Sequence, residues 1–260
     1  MDGATSGLTG AMILAAGEGT RLRPLTVDRP KPMLPVAGRP ALEHIVAWLR
    51  HHGVTRIAMN LHHLPKAVIQ HFGTGAGHGV RVAYSVETRI LGTAGGARRM
   101  LEHFDELGGT FVVVYGDVLT DLDLGSLSRF HAAATSEPHL TVALYRVPDP
   151  QECGIVELDP AGRVRRFKEK PGPSDTFSDL ANTGVLIADR ATLEDVPEGQ
   201  FSDFGEDHLP RLLERGVPLH GWVVPQETYV IDIGRPDRYR RAGLEWPTPA
   251  AMAFTGPTGP

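Results

Sequence analysis

The chain has 260 residues, of which 41% are hydrophobic and 22% are charged, an ordinary balance for a globular protein. A formal net charge of −5 argues against a general nucleic-acid-binding or anionic-membrane-binding surface. Its single cysteine, Cys153, excludes an internal disulfide and a cysteine-rich zinc site. No signal peptide is evident, and no apolar run approaches the about 20 residues that span a bilayer. We therefore expect a soluble, cytoplasmic protein.

The first element is an apolar run from Ala11 to Ala16, which predicts a buried strand. Residues 17–20, Gly-Glu-Gly-Thr, follow as a turn that exposes backbone N–H groups, and Arg21, Arg23 and Lys31 come next. Backbone amides at the carboxyl end of a strand, beside clustered cations, suit a polyphosphate. The segment therefore predicts a nucleotide site.

Two well-known phosphate loops do not fit this segment. A Walker loop needs a Gly-Lys-Ser/Thr triplet, which the chain lacks. A dinucleotide-binding fingerprint needs a small third residue, but Leu22 stands there and Pro24 prevents an immediate regular helix. An ordinary glycine turn beside surface arginines is the alternative for the short Gly-x-Gly motif alone.

Strand-like and helical patterns then alternate, which predicts a mainly parallel sheet covered on both faces. An apolar stripe from Leu42 to Leu49 predicts a helix that begins at Pro40 and closes at Gly53. The other predicted elements of the first half are strands over 56–60, 81–85 and 111–115 and a helix over 95–103. Those of the second half are strands over 140–146, 155–158, 164–167, 185–188 and 219–224 and helices over 206–215 and 236–243. The strands at 155–158 and 164–167 are predicted to form a hairpin.

Six ordered motifs carry a resemblance to a known family. They are LAAGEGTRLRPLT with RPKPMLPV (14–36), LGTAGG (91–96), YGDVL (115–119), EKP (169–171), NTG (182–184) and IDIG (231–234). Together they resemble the signature of the sugar-1-phosphate nucleotidyltransferases, also called NDP-sugar pyrophosphorylases. The resemblance runs from about Ala11 to Leu244 and is closest to short mannose-1-phosphate and heptose-1-phosphate guanylyltransferase-like members.

The resemblance implies a three-layer, Rossmann-like α/β fold with a mainly parallel mixed sheet, helices on both faces and a sugar-binding hairpin insertion in the second half. We expect one domain over 11–245, with a nucleotide-binding half (11–120) and a sugar-phosphate-binding half (121–245). The Gly/Pro/Thr/Ala-rich ends, 1–10 and 247–260, are expected to be disordered.

The implied reaction is attack of a sugar 1-phosphate oxygen on the α-phosphorus of a nucleoside triphosphate, with release of pyrophosphate. By the resemblance, Arg21 binds the β- and γ-phosphates, Lys31 reaches the α-phosphate and the attacking oxygen, and Lys170 binds the sugar phosphate. Asp117 and Asp232 are the implied ligands of Mg²⁺, a hard cation that prefers oxygen. These five residues are the predicted catalytic set.

The resemblance also assigns binding positions in both halves. The nucleotide-binding positions are Leu14, Ala15, Ala16, Gly17, Gly19, Thr20, Arg21, Glu87, Gly92 and Thr93. The sugar-phosphate-binding positions are Glu169, Lys170, Asn182 and Gly184. The expected partners are a nucleoside triphosphate and a sugar 1-phosphate, with no nucleic acid and no membrane.

Glu87 is the candidate base-reading residue, because it ends the third predicted strand five residues before Gly92. A carboxylate only accepts hydrogen bonds, so it suits the two adjacent donors of guanine and repels the acceptors of uracil and thymine. We therefore expect a preference for GTP over UTP of about 1–3 kcal/mol. In the alternative, Glu87 caps the following loop.

Several residues receive plainer interpretations. Asp121 and Asp123 are predicted as turn and helix-cap residues, and Cys153 as inert for want of a basic neighbour. His62 and His63 are adjacent in sequence, which makes a zinc pair improbable. The sequence leaves open the sugar, the base beyond guanine (UTP or dTTP), self-association into a homo-oligomer and the pathway. A catalytically silent sugar-nucleotide sensor and an alcohol-phosphate cytidylyltransferase are weaker alternatives, because no key cation or aspartate is lost.

Overall fold

The computed structural model describes residues 7–104 and 109–246. The strands are β1 (Leu8–Leu14), β2 (Pro35–Val36), β3 (Arg39–Pro40), β4 (Arg56–Leu61), β5 (Arg81–Val86), β6 (Thr110–Tyr115), β7 (Val118–Thr120), β8 (Leu140–Arg146), β9 (Gly154–Leu158), β10 (Val164–Glu169), β11 (Leu180–Asp189), β12 (Leu219–Val223) and β13 (Val230–Asp232). The α-helices are α1 (Ala41–His51), α2 (Pro65–Phe72), α3 (Gly92–Met100), α4 (Leu124–Ala134), α5 (Arg190–Glu194), α6 (Leu209–Glu214) and α7 (Pro236–Glu245). A π-helical turn, Phe204–His208, precedes α6.

The central sheet has the order β10-β9-β11-β6-β1-β4-β5, and β8 and β12 extend from β11. Strand β1 pairs in parallel with β4 and β6, and β4 pairs in parallel with β5. Strand β11 runs antiparallel to β6 and β8, which makes the sheet mixed. The carboxyl ends of β1, β4 and β6 consequently meet at one edge, where open α/β sheets place their ligand sites.

Helices cover both faces of this sheet, as alternating side chains of the central strands show. Ala11 and Ile13 of β1 belong to one buried cluster with residues of α1, α2, α4 and α7. Met12 belongs to a second cluster with residues of α3, α5 and α6. Because successive side chains of a strand point to opposite faces, the two clusters are the two sides of a three-layer α/β fold. The predicted fold class is confirmed.

The predicted elements agree with the structure more closely in type than in extent. Strand β1 begins at Leu8, so residues 8–10 belong to the sheet and not to a disordered tail. Helix α3 begins at Gly92, three residues before the predicted start, and β11 begins at Leu180 instead of residue 185. Helices α2, α4 and α5 and the short strands β2, β3, β7 and β13 were not predicted. The predicted disorder of residues 1–6 and 247–260 lies outside the described residues.

Strands β9 and β10 form the predicted antiparallel hairpin at the edge of the sheet. A second small pairing has greater consequence for the site: β7 and β13, distant in sequence, run antiparallel with Val118 opposite Asp232. The β7–β13 pairing therefore brings the loop after β6 to the segment before α7.

Candidate active site

A cavity of about 480 Å³ opens at the carboxyl ends of β1 and β6. Its walls include most of the residues that the sequence assigned to both substrates: Leu14, Ala15, Ala16, Gly17, Arg21, Lys31, Gly92, Thr93, Asp117, Glu169, Lys170, Asn182, Gly184 and Asp232. Gly19, Thr20 and Glu87 are the predicted site residues that lie outside this lining. The volume suits a small-molecule ligand pocket.

The loop after β1 is fixed by hydrogen bonds to two neighbouring strands. The Ala15 N–H donates to Oδ1 of Asn60 at 2.7 Å, and the Gly116 N–H donates to the Leu14 carbonyl at 2.9 Å. Gly19 has φ +67°, a left-handed conformation that glycine adopts without steric cost, and its carbonyl accepts from the Thr26 hydroxyl at 2.8 Å. Gly19 and Thr20 therefore shape the loop from outside the cavity wall.

The two predicted metal ligands meet because β7 pairs with β13. Asp117 directly precedes β7, Asp232 ends β13, and the Ile233 N–H donates to the Asp117 carbonyl at 2.9 Å. A Cβ placed on Gly234 would lie 2.7 Å from Oδ1 of Asp232, 3.1 Å from Nη2 of Arg21 and 3.4 Å from Oδ2 of Asp117. Both carboxylates and the Arg21 guanidinium thus converge on one point, which stays open because residue 234 is glycine.

The charges at this point are unequally compensated. Lys31 forms an ion pair with Oδ2 of Asp117, and this cation holds the pKa of Asp117 below its ordinary value although burial opposes ionisation. Burial and the negative charge of Asp117 raise the pKa of Asp232. Asp232 is partly compensated by a hydrogen bond from the Gly234 N–H at 2.5 Å, a 3.3 Å contact with Nη1 of Arg238 and the charge of the nearby Lys31. Two adjacent carboxylates therefore share too little positive charge.

The predicted sugar end of the cavity is built by β10, β11 and the start of β9. The Glu169 carboxylate occupies space that exists because residues 154 and 205 are glycine, since a Cβ at either position would lie 2.5–2.6 Å from its Oε2. Burial, with Asp203 and Glu206 nearby, raises the pKa of Glu169. Lys170 contacts Oε1 of Glu169 at 3.3 Å.

Lys170 and Asn182 are held by their own backbones. Lys170 has φ +40°, an uncommon conformation for a residue with a side chain, and its N–H donates to the Cys153 carbonyl at 3.0 Å. Oδ1 of Asn182 accepts from the Gly184 N–H at 2.8 Å, and Gly184 has φ +83° against Tyr115 and Val118. The geometry orients both side chains at the cavity wall.

The N-terminus of α3 forms the wall between the two ends. The Ser202 carbonyl accepts from Ala94 and Gly95, and a Cβ on Gly92 would lie 2.4 Å from that carbonyl oxygen. The Thr93 hydroxyl donates to Oδ2 of Asp203 at 2.8 Å and accepts from the Phe204 N–H. The loop before the π-helical turn is thereby tied to the Leu-Gly-Thr-Ala motif.

The surroundings of Glu87 favour the loop-capping alternative over a direct role in base reading. Its side chain is 2% exposed, Oε1 accepts from Nδ2 of Asn60 at 2.8 Å, and Oε2 accepts from the Leu91 N–H at 3.0 Å. Both carboxylate oxygens are therefore already used by the protein. Glu87 orders the following loop and orients Asn60, which in turn holds the Ala15 N–H, as the alternative interpretation expected.

Sequence reasoning missed several residues of the cavity wall: Asn60, Tyr115, Tyr145, Glu152, Asp203, Glu206 and Arg238. Asn60 carried a usable signal, because it is a polar residue near the end of an otherwise apolar strand. Glu152 and Arg238 carried none, since charged side chains in a loop and on an exposed helix resemble an ordinary solvated surface.

Asp121, Asp123 and Cys153 have no direct role in the predicted site. Asp123 caps α4 by accepting from the backbone N–H groups of Gly125 and Ser126, which confirms the predicted cap. Asp121 instead accepts from the Tyr229 N–H at 2.7 Å, a contact between distant parts of the chain and not a local turn. Cys153 lines the cavity, and burial raises the pKa of its thiol. Arg238 lies beside the Cys153 thiol, so the predicted lack of a basic neighbour was wrong.

A second group of charged residues lies outside the cavity lining, where His131, His139 and Asp189 place one nitrogen or oxygen each within 4.8 Å of one another. The imidazole rings of His131 and His139 stack with centroids 3.9 Å apart and planes 17° apart, so their in-plane nitrogen lone pairs lie in two separate, nearly parallel planes and are poorly placed to meet at one ion. His139 also faces the carbonyls of Glu137 and His131 with its two nitrogens, at 2.9 and 3.0 Å. This group is a hydrogen-bonded network, not an open metal site.

Comparison with known proteins identifies a family profile and sequence relatives that match this chain. A profile of the nucleotidyl transferase family matches residues 10–247. The chain is 36% identical to the UTP–glucose-1-phosphate uridylyltransferase of Synechocystis sp. over 89% of its own length, and it spans 62% of that relative. It is 31% identical to the D-glycero-α-D-manno-heptose 1-phosphate guanylyltransferase of Aneurinibacillus thermoaerophilus, covering 90% of this chain and 97% of that protein.

A solved structure agrees with these sequence relatives. HddC from Yersinia pseudotuberculosis, crystallised with GMP-PN, superimposes with a TM-score of 0.75 at 27% identity, over 92% of this chain and 99% of that one. Within residues 7–104 and 109–246, no helix is both long and apolar enough to cross a bilayer. With the family profile covering nearly the whole chain and the same fold in a relative, the chain belongs to the nucleotidyl transferase family.

Proposed function

We propose that the protein transfers a nucleoside monophosphate from a nucleoside triphosphate to a sugar 1-phosphate and releases pyrophosphate. The observation that supports this most is the convergence of Arg21, Lys31, Asp117 and Asp232 around Gly234, at the end of the cavity that the loop after β1 borders. Family membership supports the same reaction class.

The proposed chemistry places few demands on proton transfer. An oxygen of the sugar phosphate bonds to the α-phosphorus while the bond to the bridging oxygen of pyrophosphate breaks. Because the nucleophile is already an anion, no general base is needed; the protein must instead align two polyanions and neutralise their repulsion. Arg21 serves the β- and γ-phosphates with its planar fork, and Lys31 serves the α-phosphate.

We propose Mg²⁺ as the cofactor, held by Asp117 and Asp232. The two carboxylates fit a divalent cation, because burial and the charge of Asp117 raise the pKa of Asp232 although Lys31, which is paired with Asp117, partly offsets them. When bound, the ion would supply positive charge to the phosphate oxygens. The His131–His139–Asp189 group is not proposed as this site, because it lies outside the cavity lining.

For the substrates, we propose GTP and a mannose- or heptose-type 1-phosphate. The heptose 1-phosphate guanylyltransferase, which this chain matches over nearly its full length, and the GMP-PN complex of HddC support guanine. The uridylyltransferase relative supports UTP with another sugar as the alternative. The proposed base preference no longer rests on Glu87.

The proposed organisation is one domain over 8–245, which begins three residues before the predicted start because β1 begins at Leu8. Glu169, Lys170, Asn182 and Gly184 lie on its proposed sugar-phosphate half, and the loop after β1 lies on its nucleotide half. We propose the cytoplasm as the compartment, because a chain with a single cysteine cannot form the internal disulfides that are typical of oxidising compartments.

The test is a matrix of GTP, UTP, dTTP, ATP and CTP against mannose, heptose, glucose and glucosamine 1-phosphates with Mg²⁺, scored by pyrophosphate release. We expect turnover that requires both substrates and is highest with GTP. Absence of turnover in every combination would contradict the proposed reaction, and a higher kcat/KM with UTP would replace the proposed base.

A further inference from the structure

Arg238, on α7, occupies a position that the proposed reaction has not used. Its Nη1 lies 3.3 Å from Oδ2 of Asp232, and its Nη2 lies 3.1 Å from Oε2 of Glu152. The guanidinium also contacts the thiol of Cys153, whose carbonyl accepts from the Lys170 N–H. Arg238 therefore lies between the carboxylate pair and the Lys170 segment, and it lines the cavity.

The charged residues of the cavity leave the sugar phosphate with few cations, so a role for Arg238 in binding it is open. The charged residues in its lining are six carboxylates (Asp117, Glu152, Glu169, Asp203, Glu206 and Asp232) and four cations (Arg21, Lys31, Lys170 and Arg238). Arg21 and Lys31 lie beside Asp117 and Asp232 and are proposed for the triphosphate. A sugar 1-phosphate is largely a dianion near neutral pH, and Lys170, whose side chain is 61% exposed, would meet it alone.

The present partners of Arg238 hold it weakly enough to be exchanged. Both contacts are long for charge-assisted hydrogen bonds, which are typically about 2.7–2.9 Å. The Glu152 side chain is 43% exposed, and exposed ion pairs contribute only about 0–1 kcal/mol. A phosphate offers the guanidinium a bidentate partner with more charge and better geometry than either carboxylate.

On the basis of the proposed function, we infer that Arg238 binds the phosphate of the sugar 1-phosphate together with Lys170, and that Glu152 holds the guanidinium in place until the phosphate arrives. The sugar phosphate then displaces the Glu152 carboxylate from the Arg238 guanidinium. Arg238 is a substrate-binding residue of the acceptor half of the site.

The chain provides a matched control in Arg235. This residue also pairs with Glu152 and lies three residues earlier, but it is not among the residues that line the cavity. Arg238→Ala is expected to raise the KM for the sugar 1-phosphate by about 10- to 100-fold, the value of one charge-assisted hydrogen bond, and to leave the KM for the nucleoside triphosphate unchanged. Arg235→Ala is expected to leave the KM for the nucleoside triphosphate unchanged and to change the KM for the sugar 1-phosphate far less than Arg238→Ala does. Arg238→Lys should restore part of the loss.

A second variant tests the inference without removing the arginine. Glu152→Gln frees Arg238 from its competing partner, so the KM for the sugar 1-phosphate should fall by up to about fivefold. An unchanged or raised KM in Glu152→Gln, an equal effect of Arg235→Ala and Arg238→Ala, or an effect of Arg238→Ala confined to the nucleoside triphosphate would overturn the inference.

Binding of inorganic phosphate separates this inference from the proposed function. Calorimetric titration with inorganic phosphate, at saturating GTP and with thermal unfolding midpoints as a folding check, needs no turnover. We expect weaker phosphate binding in Arg238→Ala than in wild type and Arg235→Ala, even if the substrate matrix yields no product. Equal phosphate affinity in all three proteins would overturn the role of Arg238 and leave the proposed reaction untouched.

Discussion

Two groups of partly buried titratable side chains differ in how completely the protein satisfies their charges and hydrogen bonds. Asp189 accepts hydrogen bonds from the Thr110 hydroxyl at 2.7 Å, the His139 N–H at 2.9 Å and Nε2 of His131 at 3.3 Å. These donors, with the His139 imidazole, hold the pKa of Asp189 well below its ordinary value although burial opposes ionisation. Asp232, by contrast, lies beside another carboxylate, and its pKa is raised.

The difference distinguishes a structural carboxylate from a functional one. A buried carboxylate with enough donors contributes to folding and has no capacity left for a ligand. A buried carboxylate next to a like charge stores repulsion that a cation would relieve, which is why perturbed pairs in clefts mark candidate sites. Asp232 and Asp117 therefore suit metal binding, whereas Asp189 suits the connection of β6, α4 and β11.

The largest expected effect comes from the Asp117–Asp232 pair. Asp117→Asn and Asp232→Asn should each nearly abolish turnover while circular dichroism stays native. Asp232→Asn should raise the free energy of unfolding at pH 7, because it removes a buried repulsion; Asp117→Asn should lower it, because Lys31 loses its partner. Urea unfolding and pyrophosphate release measure the two effects. Persistent activity in both variants, or undiminished activity in EDTA, would refute the two-aspartate site.

The His131–His139–Asp189 group should show the opposite pattern, in which a substitution lowers stability and leaves activity unchanged. Asp189→Asn leaves the buried His139 without its carboxylate, so we expect the free energy of unfolding to fall by up to about 3 kcal/mol. The kcat per folded molecule at low temperature should stay unchanged, since Asp189 lies outside the cavity lining. A variant that kept its stability but lost activity would place Asp189 in the active site and break the comparison.

Glu87 belongs with the satisfied carboxylates, which gives a smaller prediction. In Glu87→Gln, the new amide group must face either Nδ2 of Asn60 or the Leu91 N–H, both donors, at an expected cost of about 1–3 kcal/mol in stability. The ratio of kcat/KM for GTP to that for UTP should stay the same. A loss of that selectivity, with stability retained, would restore Glu87 as the residue that reads the base.

The smallest expected effect is a pH dependence of stability. Although burial would lower it, hydrogen bonds to Asp189, Glu137 and His131 raise the pKa of His139 above its ordinary 6.5. The charged form therefore stabilises the fold fully below about pH 6.5, and this contribution is lost as the pH rises through the raised value. Urea unfolding from pH 6 to 9 should show a steeper decline in wild type than in His139→Gln. His131 and His220, which pack against the ring, are present in both proteins, so equal slopes would contradict the charged His139.

The sequence was most informative where one short segment builds both structure and chemistry. The run from Ala11 and the motif around Asp117 predicted two strands whose carboxyl ends carry the site, and the structure places Arg21, Lys31 and Asp117 in one cavity. Each motif combined a buried strand with a polar turn, a pattern that local periodicity can detect.

The sequence was least informative where the outcome depends on a distant partner. The partner of Glu87 that local sequence could not indicate is Asn60, which donates to its carboxylate from a neighbouring strand. The Leu91 N–H is a local donor, and the loop-capping alternative anticipated it. Arg238 likewise acquires meaning only when α7 packs beside Glu152. Helix α4 escaped prediction although its cap Asp123 was recognised, since the serines and the glycine of its sequence carry low helix propensity.

The central claim is that Asp117 and Asp232, and not the His131–His139–Asp189 group, hold the metal. Calorimetric titration of Mg²⁺ into wild type, Asp232→Asn and Asp189→Asn, each saturated with a non-hydrolysable GTP analogue, tests it directly. We predict that wild type and Asp189→Asn bind Mg²⁺ with the same affinity and that Asp232→Asn loses the binding. Retained Mg²⁺ affinity in Asp232→Asn together with its loss in Asp189→Asn would contradict the account.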